Sequence, residues 1–419
     1  MPIQLSVITF TEQDDFVGLS EEVEIRNVFA NTLAGNDLII GNSENSYTDN
    51  SYTDNSIFNN GKKISGVYNS GTLNTGDGND LISGTGEPTD LVFGNLLNKI
   101  SGIRNIGTLN KGDGNDAILG HRVYKTDQTL SNDVFGYGIY NQEGIIATGN
   151  GDDIITGISE VLNTTGICLD TRNGHSDENK TSINTGNGND TITGIGNSFG
   201  IGIYSTDKDN GASIDTGNDN DIITGIGEHS GINIGSTSGI DTRNGDDIIT
   251  GNGMIGITID FSSSYINTGD GNDTITSTGM NNRGTINTGD GDDDIISEFI
   301  TNSGIIDTGN GNDSLISNWG FSGNWGISGK GDIFLGDGTD YLKGFGNGRF
   351  NGQDGEDTLE LTSGSYTIEI LETAVNFTTN RGPSQIPVTM KTFEFEKLIA
   401  GSTIYDFTSL TAGQIVVVA

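Results

Sequence analysis

Single aliphatic side chains recur along this chain at two fixed distances from an aspartate. The aspartates are Asp37, Asp80, Asp116, Asp153, Asp190, Asp221, Asp247, Asp273, Asp293, Asp313, Asp340 and Asp357. Two residues after each stands Ile or Leu, from Ile39 to Leu359, without exception. Seven before, the middle copies carry Leu73, Leu109, Ile146, Ile183, Ile214, Ile240, Ile266, Ile286 and Ile306. Alternate residues of an extended chain face the same way, so each unit predicts a short strand, a tight turn carrying the aspartate, and a second short strand. One aliphatic of each strand points inward. An amphipathic helix would need apolar residues at i, i+3 and i+4 over some ten positions, and no unit supplies them.

Glycine marks the turn. It stands two residues before the aspartate except at Asp219, and four before except at Leu33, Arg243 and Gln353. The regular pairs are Gly76 and Gly78, Gly112 and Gly114, Gly149 and Gly151, Gly186 and Gly188, Gly269 and Gly271, Gly289 and Gly291, Gly309 and Gly311, and Gly336 and Gly338. Such residues permit positive φ angles and let backbone carbonyls converge on one point. Successive aspartates are 43, 36, 37, 37, 31, 26, 26, 20, 20, 27 and 17 residues apart. The shortest spacings set one coil, and the longer ones read as the same coil with loops inserted away from the turn. The fold class predicted is all-β, a right-handed parallel β-solenoid. Residues 1–30 read as an N-terminal cap, 31–357 as the repeats and 358–419 as a C-terminal β cap.

Two more rows keep the register. Thr75, Thr148, Thr185, Thr216, Thr242, Thr268, Thr288 and Thr308 lie five before the aspartate; Asn74, Asn110, Asn184, Asp215, Asp241, Asn267, Asn287 and Asp307 lie six before. Stacked Thr could bind ice and stacked Asn could line a groove, but both ladders also bond one coil to the next in any solenoid. A single Thr row beside a charged turn makes a poor ice plane.

Composition narrows the chemistry. Only 32% of residues are hydrophobic, which implies a thin core, and a formal charge of −38 argues against nucleic acid or anionic membranes and for cations as partners. Cys168 is the only cysteine, so neither disulfides nor a cysteine-rich zinc site holds the fold, and it reads as a small buried residue. No basic segment followed by an apolar run opens the chain, and no stretch is apolar enough to span a bilayer.

The run Asn-Thr-Gly-Asp-Gly-Asn-Asp-Thr-Ile-Thr at residues 267–276 resembles the G-G-x-G-x-D-x-U-x repeat of the RTX (repeats-in-toxin, hemolysin-type) calcium-binding family. The resemblance covers residues 31–359. It implies calcium ions between turns of adjacent coils, held by the twelve aspartates and by backbone carbonyls of the paired glycines named above. Two departures matter: the first glycine is usually Thr here, and one motif per coil implies a single row of ions. Elementary chemistry agrees, because calcium takes six to eight oxygens in loose geometry. Carboxylates stacked about 4.8 Å apart would also repel by roughly 1 kcal/mol per pair even in bulk water. The competing reading is a metal-free turn in which each aspartate bonds backbone amides. It weighs most at Asp37, Asp221, Asp247 and Asp357, where the glycine pattern breaks. A degenerate copy at residues 169–174 lacks the aspartate at the right place and is expected in a loop.

The C-terminal region, with alternating apolar residues around Tyr366, Ile370, Phe393 and Phe395, resembles the tail of RTX proteins. Those leave the cell by type I export through an uncleaved C-terminal signal, and residues 415–419 form the apolar end such signals carry. The expectation is a secreted, extracellular or cell-surface calcium-binding structural or interaction protein that folds on calcium after export. Catalysis is not expected: His121, His175 and His229 fall at different offsets, and neither H-E-x-x-H nor G-x-S-x-G occurs. The alternative is a polysaccharide-acting β-helix enzyme, a lyase or epimerase, with its site in the long loops between Asp116 and Asp221.

Overall fold

The computed structural model describes residues 3–4, 13, 15–18, 23–25, 29–42, 65–86, 100–123, 136–171, 181–206, 211–318, 326–381 and 386–418. Each coil up to the one closed by Ile327–Gly329 contributes three short strands, and the next, through Tyr341–Lys343 and Gly348–Asn351, has no closing strand. In one twenty-residue coil the three are Thr285–Asn287 before the turn, Asp294–Ser297 after it, and Ile300–Asn302 closing the circuit. Equivalent strands stack in parallel into three sheets, which with their antiparallel C-terminal strands have 16 strands before the turn, 15 after it and 12 in the closing sheet. The chain is a parallel β-solenoid, as its spacing predicts.

The closing sheet corrects the two-strand reading. Its strands, such as Phe199–Tyr204, Ser230–Ile234 and Ile255–Ile259, lie in spans that the spacing assigns to loops. They carry their own inward column, Ile103, Ile139, Ile167, Ile201, Ile232, Ile257, Met280 and Ile300, all fully buried. The post-turn column (Ile118, Ile155, Ile192, Ile223) and the pre-turn column (Leu109, Ile146, Ile183, Ile214) face it, equally buried. Each side chain sits on its counterpart in the next coil: Ile155 pairs with Ile192, and Ile192 with Ile223. Burying one such aliphatic contributes roughly 1.5–3 kcal/mol, and in the middle coils a fourth buried column on the closing strands, Leu169, Ile203, Ile234 and Ile259, joins these three. The post-turn and closing sheets meet at a glycine corner, where a Cβ on Gly194 would stand 2.3 Å from Gly200 O.

Residues 169–174 are corrected as well. Leu169 and Asp170 end the closing strand Thr165–Asp170, and Asp170 is buried, accepting a hydrogen bond from Tyr140 Oη at 3.1 Å; residues 172–174 lie outside the described set. Cys168, on the same strand, is buried and packs with Tyr137 and Tyr140.

The parallel ladder continues past both ends of the twelve motifs. The strand Phe16–Gly18 pairs with Leu38–Asn42, placing Asp15 where a motif aspartate would stand and buried Val17 in its aliphatic column. Beyond Asp357, Lys397–Ala400 pairs in parallel with Thr358–Leu361, placing Glu396 in the aspartate position and Leu398 in the column. Antiparallel strands then cover the C-terminal face: Gly364–Ile370, Val375–Arg381 and Ile386–Phe393 extend the pre-turn sheet, with Ile415–Val418 against the first of them. Tyr366 and Phe377 are fully buried beneath them.

Register predicts which deletions the rod tolerates. Asp294 is the ladder partner of Ser314, so removing residues 294–313 excises one whole coil and returns every aliphatic to its column. That protein is expected to keep its β circular dichroism and shorten by about one strand spacing, ~4.8 Å, by small-angle scattering. Removing residues 294–303 alone should destroy the stack, and equal behaviour of the two deletions would refute the coil assignment.

Candidate metal sites

The turn geometry follows from its two glycines. Gly112 and Gly114 have φ of +82° and +146°, and each lies against a carbonyl of the preceding coil. A Cβ on Gly112 would stand 2.0 Å from Gly76 O, and one on Gly114 1.9 Å from Gly78 O, so a side chain is excluded by contact as well as by conformation. Where the pattern breaks, Leu33, Asp219, Arg243 and Gln353 hold the same positive φ, at +70°, +82°, +65° and +73°.

The motif aspartate turns inward. All twelve are at most 2% exposed. From Asp37 to Asp340, each backbone N–H donates to Oδ1 of the next coil's aspartate, at 2.7–3.0 Å throughout. The copies at Asp37, Asp221, Asp247 and Asp357 take part like the rest. Asp15 N–H opens the row on Asp37 Oδ1, and Asp357 N–H ends it on Glu396 Oε2, at 2.8 and 2.7 Å. Neither terminal rung carries the glycine motif, which is why the motif alone misses them.

The amide-bonded turn therefore accounts for one carboxylate oxygen and leaves the other. Oδ2 of every motif aspartate from Asp80 to Asp357 is buried with no hydrogen-bond partner. The Thr row is interior too, fully buried, with hydroxyls other than that of Thr216 donating to the next coil's backbone, as from Thr185 to Thr216 O at 3.1 Å and Thr288 to Thr308 O at 2.9 Å. An internal row offers no face to ice. The Asn row forms a half-buried amide ladder, with Asn110 Nδ2 on Asn74 Oδ1 at 2.7 Å and Asn287 Nδ2 on Asn267 Oδ1 at 2.8 Å.

Outside the turn, the side chains one residue before the aspartate bond the other way. Asn115 N–H donates back to Asn79 Oδ1, Asn272 N–H to Asp246 Oδ1 and Asn312 N–H to Asp292 Oδ1, at 2.7–2.9 Å. The residues three before the aspartate pair in parallel from Asn187 to Asp337. The turn is itself a ladder.

Burial strains the inner carboxylates. Desolvation pushes Asp190, Asp273 and Asp313 up to about 7 and Asp221 up to about 8, while the neighbouring amide and Thr hydroxyl oppose the shift without cancelling it. Asp153, Asp247 and Asp357 rise to about 6 for the same reason. Such a column needs either protons or a cation.

The donor set fits calcium. No group of three or more His, Cys, Asp or Glu side chains converges on one point among the described residues, so each ion would draw on aspartates of two coils and on main-chain oxygen. The carbonyls of Gly78, Gly114, Gly151 and Gly188 accept no hydrogen bond from a described residue and remain available. Hard oxygen donors around a buried anionic row suit calcium rather than a softer metal.

Lys111 breaks the Thr row, standing five residues before Asp116. It is fully buried, donates from Nζ to Asp80 O at 2.5 Å and Ala117 O at 2.8 Å, and lies 3.8 Å from Asp116 Oδ1. Burial pushes this amine down and the Asp116 carboxyl up, and their attraction opposes both shifts. The sequence signal was a single Lys where Thr recurs.

Around the two described histidines no catalytic grouping forms. His121 lies in the strand Ala117–Arg122, 3.6 Å from Glu160, rather than in a loop, and His229 packs on Phe199. His175 lies outside the described residues.

Fold and site together define a parallel β-solenoid with a buried, in-register carboxylate ladder. No protein-family model matches the chain, and no curated protein is similar to it in sequence. Among solved structures it is similar to the one titled "X-ray crystal structure of a hyperactive, Ca2+-dependent, beta-helical antifreeze protein from an Antarctic bacterium", at 16% identity over 96% of each chain with a TM-score of 0.39. No helix among the described residues is long and apolar enough to cross a membrane.

The raised carboxyls set a pH dependence for the metal-free protein. Folded, Asp190 and Asp273 keep protons up to about pH 7, whereas the unfolded chain releases them near 3.8. The folded state thus holds more protons across that window, so stability is greatest below about pH 4 and falls as pH rises through about 7. Thermal melts in chelator should give a higher midpoint at pH 4.5 than at pH 7.5; a flat or opposite trend would show that the carboxylates are not buried as described.

Proposed function

We propose that this is a calcium-binding β-solenoid in which calcium ions lie between successive coils along the aspartate row, giving one ion ladder. The observation that carries the reading is the unbroken column of buried Oδ2 atoms without a hydrogen-bond partner, from Asp80 to Asp357. A buried anion of this kind is stable only when paired or protonated, and a divalent ion between two aspartates serves both. When bound, calcium supplies charge neutralisation and coordination, and the chain's own residues supply the inward carboxylates and glycine carbonyls. The repeat motif resembles that of the RTX family, with a single motif per coil as its departure.

Its role on this reading is structural or adhesive rather than enzymatic, at the cell surface or in the extracellular matrix. Calcium at a hundredfold excess over its dissociation constant would add about 2.7 kcal/mol per site to a state that alone binds it. A cytosol poor in calcium would keep the chain loose for type I export, with folding outside the cell. Removing about the last sixty residues is then expected to abolish secretion while removing residues 1–30 does not, measured by immunoblot of medium and cells. Secretion of the C-terminally shortened chain would refute that route and leave the solenoid standing.

The metal reading has its own test. Calcium added to the chelated protein at pH 7.5 should raise its β circular dichroism and melting temperature. Asp273→Asn keeps an oxygen for the Asp247 N–H but removes the buried charge, so it should melt higher than the parent in chelator and bind fewer calcium ions. Calorimetric titration showing no calcium binding by the parent protein would sink the proposal.

A further inference from the structure

We infer that the Lys111 ammonium is the resident cation of the interval between Asp80 and Asp116, so that this interval is closed without a metal ion. The inference rests on the calcium reading above and concerns one step of that ladder. Lysine is almost never fully buried unless paired, yet Lys111 has no exposure. Its Nζ takes one carbonyl from each of two coils, Asp80 O at 2.5 Å and Ala117 O at 2.8 Å, and lies 3.8 Å from Asp116 Oδ1. The ammonium is thus held by the same kind of hard oxygen donor, main-chain carbonyl from two adjacent coils and a motif carboxylate, that a divalent ion takes, although through other carbonyls than those of the turn glycines.

The register makes the substitution specific. The position five before the aspartate is Thr75 in the preceding coil and Thr148 in the following one; both hydroxyls donate to backbone, to Lys111 O and Thr185 O, each at 3.3 Å, and both favour the charged form of their own coil's aspartate without carrying a charge themselves. A four-carbon stem at that place carries its charge past the Thr row into the aspartate row. A divalent ion entering the same buried space would face a positive charge at close range, and burial leaves that repulsion little screened. The coils around Asp80 and Asp116 thereby gain a pairing that needs no solute, and they are the part of the stack expected to persist in chelator.

The test counts ions on the full chain. After removal of free calcium, elemental analysis should find one more bound ion per chain in Lys111→Thr than in the parent, and one fewer in Thr148→Lys, which installs the ammonium one coil further on. In chelator, Lys111→Thr should melt below the parent. Unchanged counts in both variants would overturn the inference, as would a Lys111→Thr protein that melts like the parent in chelator. Should Lys111→Thr fail to fold, the count in Thr148→Lys decides alone. If the parent binds no calcium, the metal reading fails, and the melt of Lys111→Met in chelator still judges the ammonium: a midpoint equal to the parent's would show that it neutralises nothing.

Discussion

A carboxylate repeated at every coil and held inside the turn constrains everything around it. Carboxylates at strand spacing repel one another, and low dielectric sharpens the repulsion. Here each is half matched, because Oδ1 receives the amide of the coil before it while Oδ2 receives nothing. That amide bond fixes orientation, and the remaining charge fixes what the interior must contain: a proton, a divalent ion or, beside Asp116, an ammonium. The thin aliphatic core can hold such a row only because its columns lie to one side of it, dry and in register.

Two opposed sets of bonds keep the turns in place. The inner aspartate and threonine rows donate toward the C-terminus, and the outer Asn and Asp row donates back toward the N-terminus. A coil sliding along either direction would lose one set. The glycines let these rows approach, and the terminal rungs use residues outside the motif to satisfy the same geometry, Asp15 at one end and Glu396 at the other. Antiparallel strands on either side of Glu396 then cover the last parallel rungs, so that the two sheets end on the short strands Thr403–Asp406 and Ile415–Val418.

Much of this was legible in the residues, because an aspartate with an aliphatic two places on is a strict local rule with one structural cause. The pre-turn and post-turn strands, the stacking and the row of candidate ligands follow from it. The closing sheet did not follow, since its Ile-Gly-Ile alternations sit at no fixed distance from the aspartate and are masked by variable insertions. The inward direction of the Thr row was legible as well, because each Thr stands two residues after the inward aliphatic and alternation turns both the same way. Asp15 and Glu396 stand in runs without glycine, and only pairing identifies them. Lys111 is visible as an exception, but its meaning depends on the direction of its side chain.

The bonds between coils, all directed along the stack, also determine how the molecule would bear load. Tension applied at the two ends pulls each coil straight away from the next, so rungs part in sequence instead of shearing together. One released twenty-residue coil would pay out from about 4.8 Å to about 65 Å of chain. The spacing between rungs grows from 20 residues near Asp293 to 43 between Asp37 and Asp80, so the extension released per step is graded along the length. Such a stack would yield one coil at a time, as an extensible spring does, with a step length set by the number of residues between rungs.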